Sequence, residues 1–216
     1  DGKLLVSVSE DHQVIVWDFA RRMRLKTLTD HTGPVTTVAF SPDGKWFVTG
    51  AQDNTAILWN AKSFTKETVW NDQHGPVAAT SFSPNSSLLA YANDNSVVLR
   101  ETKSWNIVRE IPGGIGGHGS YVFPDNGRLI ADSRGNSWDL ASGEHKVQVA
   151  DRTGNWLALA PDGSFGTVVD SDGIVRAFDL LDPKSPLFAQ PAHHDHGRAI
   201  DYSPDGKLIA SGSERV

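Results

Sequence analysis

One short phrase returns along this chain at a nearly constant interval, and that periodicity constrains the fold more than any single residue does. The phrase is an apolar residue followed two positions later by Pro-Asp-Gly or a close variant. It reads Phe40-Ser41-Pro42-Asp43-Gly44, then Phe82-Ser83-Pro84-Asn85, Val122-Phe123-Pro124-Asp125, Leu159-Ala160-Pro161-Asp162-Gly163 and Tyr202-Ser203-Pro204-Asp205-Gly206. The prolines stand 42, 40, 37 and 43 residues apart, and the chain opens inside the phrase with Asp1-Gly2-Lys3, 42 residues before Asp43. A second marker keeps the same beat: Trp17-Asp18, Trp59-Asn60, Arg100-Glu101, Trp138-Asp139 and Phe178-Asp179, at steps of 42, 41, 38 and 40. Two markers sharing one period imply a stack of like units, each covering a neighbour's apolar face.

Within a unit the periodicity is that of strands. Val35, Val38 and Phe40 are apolar among small polar residues. Pro42-Asp43-Gly44 is a turn, with proline suited to its second position and glycine to positive φ. Lys45–Thr49 is rich in β-formers, Ala51–Asn54 turns, Thr55–Trp59 is a third strand, Asn60–Ser63 turns again, and Phe64–Trp70 is a weaker fourth. No segment carries a helical stripe. The chain is therefore expected to be all-β, with four short antiparallel strands per unit. The units run approximately 1–28 (partial), 29–70, 71–111, 112–149, 150–191 and 192–216 (partial).

Composition narrows the function. The formal net charge is −6 and no segment collects positive charge, which argues against nucleic acid or an anionic membrane as partner. No apolar run approaches a membrane span. Cysteine is absent, which removes disulfides, thiolate metal sites and a cysteine nucleophile. With no basic and apolar leader-like start either, a cytoplasmic location is expected.

The unit from His31 to Asn60 resembles the WD-repeat family of β-propellers, with its units of about 40–45 residues, four strands and a terminal Trp-Asp. The resemblance covers essentially the whole chain. It implies a structural tetrad of His31, Thr49, Asp53 and Trp59, with Ser7, Asp11 and Trp17 at matching offsets in the partial first unit. A buried carboxylate needs donors, and His, Thr and an indole N–H form a chain of them. His31/Thr49/Asp53 could be mistaken for catalytic groups; their recurrence by unit makes them staples. Later units depart from the pattern. The third has His74 and Asp94, but Ala90 and Arg100 in place of the hydroxyl and the Trp. The fourth has a glycine-rich entry ending at His118, the fifth keeps Asp172 with Phe178 for Trp, and the sixth offers His193, His194 and His196.

The first unit lacks its first strand and the last lacks two, so about five blades are expected, an arc of a propeller of seven blades or more within a longer chain or assembly. The alternative is a closed five-bladed ring with a spare strand.

Other motifs carry little chemistry. His193-His194-Asp195-His196 has the residue types of a zinc or nickel site, but neighbours in a strand point in different directions. Asp170-Ser171-Asp172-Gly173 opens like a calcium loop, yet Ile174, Val175 and Arg176 stand where oxygen donors belong. Gly113–Gly119 lacks the Lys-Ser/Thr of a phosphate loop. No acid/base pair has unique placement, so no enzyme activity and no cofactor are expected. Trp70 falls between the fourth strand of one unit and the next unit, near a rim. Trp156 replaces the small residues Thr37, Ala79, Gly119 and Ala199 found at its position in other units. With Arg152 and Asn155 these two are the expected contacts, since aromatics and Arg are enriched at interface hot spots. The expected function is a non-catalytic scaffold binding a partner protein or peptide at the rim or channel mouth. The alternatives are a sensor domain of a larger protease, kinase or NTPase, or an enzyme using the channel.

Overall fold

The computed structural model describes residues 2–71, 75–93, 95–112, 121–122, 129–132, 136–140, 142, 144–148, 156–160, 165–169, 171–179, 187–194, 197–203 and 205–213. They form strands only, in six antiparallel sheets, each a simple meander in chain order. The chain divides into two compact units, Asp1–Gly117 and His118–Val216.

In the first unit, sheet one is β1 (Leu4–Val8), β2 (Val14–Asp18) and β3 (Met23–Leu28). Sheet two is β4 (Val35–Phe40), β5 (Trp46–Ala51), β6 (Ala56–Asn60) and β7 (Lys66–Trp70); sheet three is β8 (Ala79–Phe82), β9 (Leu88–Ala92), β10 (Ser96–Glu101) and β11 (Ile107–Pro112). The predicted strands of the second sheet agree to within two residues at each end. Ala51 extends β5, and Phe64 lies in the turn before β7 at φ 55°.

The repeated phrases have direct local causes. In Ser-Pro-Asp, the Ser41 hydroxyl donates to Asp43 Oδ1 at 2.7 Å while its oxygen accepts from Trp46 N at 3.0 Å. Ser83 with Asn85 and Leu88, and Ser203 with Asp205 and Leu208, repeat both bonds. After the Trp-Asp marker, the acidic or amide side chain caps the next turn. Asp18 accepts from Arg21 N at 2.8 Å, Asn60 from Ser63 N at 3.1 Å and Asp139 from Ser142 N at 2.9 Å. Each phrase ties a hairpin turn to itself, as short Ser and Asx side chains do.

Two apolar layers hold the three sheets together. Val6, Val14, Val16 and Leu28 of sheet one pack on Phe47, Ile57 and Trp59 of sheet two. Val48, Leu58 and Trp70 on its other face pack on Leu89, Tyr91 and Val98 of sheet three. The middle strands β5 and β6 are thus buried on both faces, which explains their nearly continuous apolar runs. Backbone bonds repeat between sheets: Val35 N donates to Ser9 O at 3.1 Å and, 42 residues on, Val77 N donates to Ala51 O at 3.0 Å. Gly50 permits that approach, because a Cβ there would lie 2.4 Å from Val77 Cγ1.

In the second unit, sheet four is β12 (Tyr121–Val122), β13 (Leu129–Asp132), β14 (Asn136–Asp139) and β15 (His145–Gln148). Sheet five is β16 (Trp156–Leu159), β17 (Phe165–Val169), β18 (Ile174–Asp179) and β19 (Phe188–Pro191); sheet six is β20 (Gly197–Tyr202) and β21 (Ile209–Ser213). β20 packs against β16 and β17.

Candidate functional site

The most elaborate polar constellation lies inside sheet two. Thr49 on β5 and Trp59 on β6 are buried, as is His31 ahead of β4. Trp59 Nε1 donates to Thr49 Oγ1 at 2.9 Å, and Thr49 Oγ1 meets His31 Nε2 at 2.8 Å. His31 Nδ1 meets Asp53 Oδ2 at 3.0 Å and Thr55 Oγ1 at 3.1 Å. One assignment satisfies the group: the indole donates to the hydroxyl, the hydroxyl donates to Nε2, and Nδ1–H donates to the carboxylate. Asp53 further accepts from Thr32 N at 2.8 Å and from the Thr55 hydroxyl at 2.6 Å.

The electrostatics follow from burial. Desolvation lowers the His31 pKa from its ordinary value, outweighing the opposing pull of Asp53 and Asp30. Burial alone would raise the Asp53 pKa, but its bonds from Thr55, Thr32 N and His31 together hold it below the ordinary carboxylate value. The result is a neutral imidazole beside a carboxylate with its donors in place. Asp53, His31 and Thr49 are bonded to one another.

The other sheets vary this theme. In sheet one, Trp17 Nε1 donates to Ser7 Oγ at 2.9 Å, while Asp11 accepts from Gln13 N at 3.0 Å within its own turn. In sheet three, the register pairs Val98 with Tyr91 and Arg100 with Leu89, just as Ile57 pairs with Thr49 and Trp59 with Phe47. The hydroxyl position therefore falls on Tyr91 and not on Ala90, a shift that follows from a turn one residue shorter. The phenol fills the role: Arg100 Nε donates to Tyr91 Oη at 2.7 Å. Asn93 makes the turn bonds, accepting from Asn95 N at 2.7 Å and Ser96 N at 2.9 Å. His74, Asp94 and His118 lie outside the described residues.

In sheet five, Arg176 donates to Asp172 at 2.9 Å and holds that carboxylate below its ordinary pKa. Asp172 also accepts from Ile174 N at 3.0 Å, and Gly173 takes φ 76°, so the segment is a hairpin turn. In sheet six, His193 Nε2 meets Ser211 Oγ at 2.8 Å, the same pairing as His31 with Thr49. Asp195 and His196 lie outside the described residues, as do Gly113–Gly119.

Of the predicted contact residues, Trp70 is placed in a packing layer. Trp70 is not in a rim connection: it ends β7 and is 9% exposed. Strand alternation aims it into the layer against sheet three. There its ring stacks on Tyr91 (5.7 Å, 7° between planes), and the Arg100 guanidinium sits 4.8 Å from its centre. A buried Trp with two such neighbours is a packing residue. Trp156 opens β16 and pairs with Val169, while Arg152 and Asn155 lie outside the described residues.

Meandering antiparallel sheets of up to four strands, with an indole–hydroxyl–imidazole–carboxylate chain complete in sheet two and varied in the others, define a protein built from propeller blades. The family model for the WD domain, G-beta repeat, matches residues 1–18, 22–60 and 185–215 of this chain. The histone acetyltransferase type B subunit 2 of Candida glabrata is 38% identical to this chain over 64 residues. That match takes in 28% of this chain and 15% of the relative's length.

Proposed function

We propose that this chain is a non-catalytic interaction scaffold that holds a partner protein or peptide on the exposed turns of its blades. The observation that carries this reading is the saturation of the tetrad. The residue types that could do acid–base chemistry, His31, Asp53 and Thr49, are consumed in buried bonds to one another. What the blades offer outward is a set of short turns on a stiff frame, an arrangement suited to recognition. The relative's name, a numbered subunit of an acetyltransferase, supports a role within an assembly. Arg152, Asn155 and Trp156 remain the proposed contact group on the second unit.

Selection of a displayed peptide library on the immobilised chain tests the reading. The expected result is a small set of related peptides that bind saturably. Trp156→Ala is expected to keep the melting temperature and to weaken those peptides about tenfold, if it is a contact hot spot. No enriched peptide would overturn the scaffold reading; a Trp156→Ala protein that unfolds would overturn only the assignment of that residue.

A further inference from the structure

The fourth strands of the blades occupy equivalent places at the outer edge of their sheets, and one differs from the others in chemistry. β3 and the turn before it read Arg21-Arg22-Met23-Arg24-Leu25-Lys26, four cations in six residues with no acid, and all six side chains are exposed. β7 carries Glu67 beside Lys66, and Lys66 pairs with Asp30; β11 carries Glu110 beside Arg109; β19 has no charge. The expectation that no segment collects positive charge therefore does not hold: one outer strand gathers the cations.

The apolar residues of the same segment are also outside. Phe19 is 63% exposed, Met23 57% and Leu25 45%; the other outer strands also expose apolar residues, Val69 at 43%, Ile107 at 47%, Val108 at 50% and Phe188 at 42%, but of the described residues only those on β3 stand among arginines without partners. The pairing of β2 with β3 shifts register between Val16 and Trp17, leaving Leu25 with no partner on β2. Arg21 forms an exposed pair with Asp18, and Lys26 donates to Phe64 O at 3.0 Å. The side chains of Arg22 and Arg24 have no partner among the described residues. Two uncommitted guanidinium groups, set among exposed Phe, Met and Leu on an outermost strand, match carboxylates alternating with apolar side chains. Arginine takes carboxylates bidentately, and an edge strand has a free row of backbone donors and acceptors for an extended peptide.

We infer that β3 with its preceding turn is a docking edge for an acidic, apolar peptide segment of a partner protein, with Arg22 and Arg24 taking its carboxylates and Phe19, Met23 and Leu25 its apolar side chains. Phosphate backbones and anionic lipid surfaces also attract arginine, but the apolar residues interleaved with the arginines favour a peptide. The inference rests on the scaffold reading and names one of its surfaces.

The probe is a fluorescent heptapeptide alternating glutamate with leucine and phenylalanine, blocked at both ends, titrated onto the whole chain by anisotropy. A lysine-for-glutamate version serves as control, with a single-stranded oligonucleotide and phosphatidylserine vesicles as rival ligands. Saturable binding of the acidic peptide alone is expected, weakening with added salt as screening shortens the reach of the charges. Arg22→Glu/Arg24→Glu and Met23→Ser/Leu25→Ser should each keep the melting temperature and weaken binding about tenfold or more, as loss of charge complementarity or of an apolar anchor does. Absent binding, binding indifferent to both double variants, or oligonucleotide or vesicle binding of equal strength through the two arginines would overturn the inference. If library-selected peptides bind elsewhere while this probe does not, the scaffold reading stands and only the β3 edge falls. If no peptide binds anywhere, both fall.

Discussion

Sheets two and three share strand order, register and a common packing layer, yet hold themselves together differently. Sheet two runs a chain of bonds from Trp59 through Thr49 and a neutral His31 to the Asp53 carboxylate. Sheet three sets a charged Arg100 in the tryptophan's place, bonds it to the Tyr91 phenol and to Trp105 O, and lays Trp70 of the neighbouring sheet over it. Arg100 is 8% exposed and Trp59 is 1% exposed, so both are core residues. The contrast teaches that the blade requires a large flat side chain and a satisfied polar group at this position, and that more than one chemistry supplies them. It also shows why the substitution spreads beyond one strand. A tyrosine must replace the threonine to meet the guanidinium, and the aromatic Trp70 must come from the blade before.

Trp59→Ala would break the comparison most sharply. It removes a side chain stacked on Phe47 (6.0 Å between centres) and leaves the Thr49–His31 chain without its indole donor. A loss of about 3–5 kcal/mol is expected from the cavity, read by urea denaturation. Arg100→Leu should cost about 2–3 kcal/mol by the same measurement, since the Tyr91 phenol loses its partner in a buried layer. If Arg100→Trp costs less than Arg100→Leu, the two stapling chemistries are interchangeable; if it costs more, sheet three is committed to its cation.

The two staples should separate by pH. The folded-state pKa of His31 is lowered, so the unfolded chain binds more protons. Its stabilising contribution is complete above about 6.5, the unfolded value, and is lost as pH falls toward the folded pKa. Asp53, also lowered, adds a second loss at more acid pH, below about 3.9. The melting temperature should therefore fall between pH 7.5 and 5, and His31→Gln should flatten that step. An unchanged slope in His31→Gln would mean that the imidazole does not titrate on unfolding.

The smallest effect belongs to Ser86, which takes φ 58° where the preceding unit has Gly44 at φ 70°. Ser86→Gly relieves a left-handed backbone worth about 1 kcal/mol but removes the hydroxyl that accepts from Asp43 N at 3.0 Å across the two sheets. A net change within about 0.5 kcal/mol is expected, because a hydrogen bond of similar size offsets the gain; a thermal melt reads it.

Blade topology was legible because each unit carries its own turn chemistry. Ser41 with Asp43, and Asn60 with Ser63, fix hairpins from contacts within a few residues, and such contacts repeat wherever the phrase does. The tetrad of sheet two was legible for the same reason. Trp70 was not: its position in the chain suggests a connection, and its burial comes from Tyr91 and Arg100, more than 20 residues away. Nor was Tyr91, since a turn one residue shorter moves the hydroxyl position, and spacing measured from Arg100 lands on Ala90. The cations of β3 escaped a charge sum taken over the whole chain. Nothing in the count separates Arg24, unpaired on an outer strand, from Arg100, sealed inside a layer.

The sequence by itself determined what is local and repeated: an all-β chain, four strands to a repeat, turns closed by Ser, Asp and Gly, and a His–Thr–Asp–Trp group in its second repeat. Such features depend on period-two alternation and on bonds between near neighbours, which any copy of the phrase reproduces. The tertiary structure alone decided which polar and aromatic residues are staples and which stay exposed. That choice turns on what the adjacent sheet places opposite each side chain: burial between two sheets makes Trp70 and Arg100 structural, and an outer edge leaves Arg22 and Arg24 available.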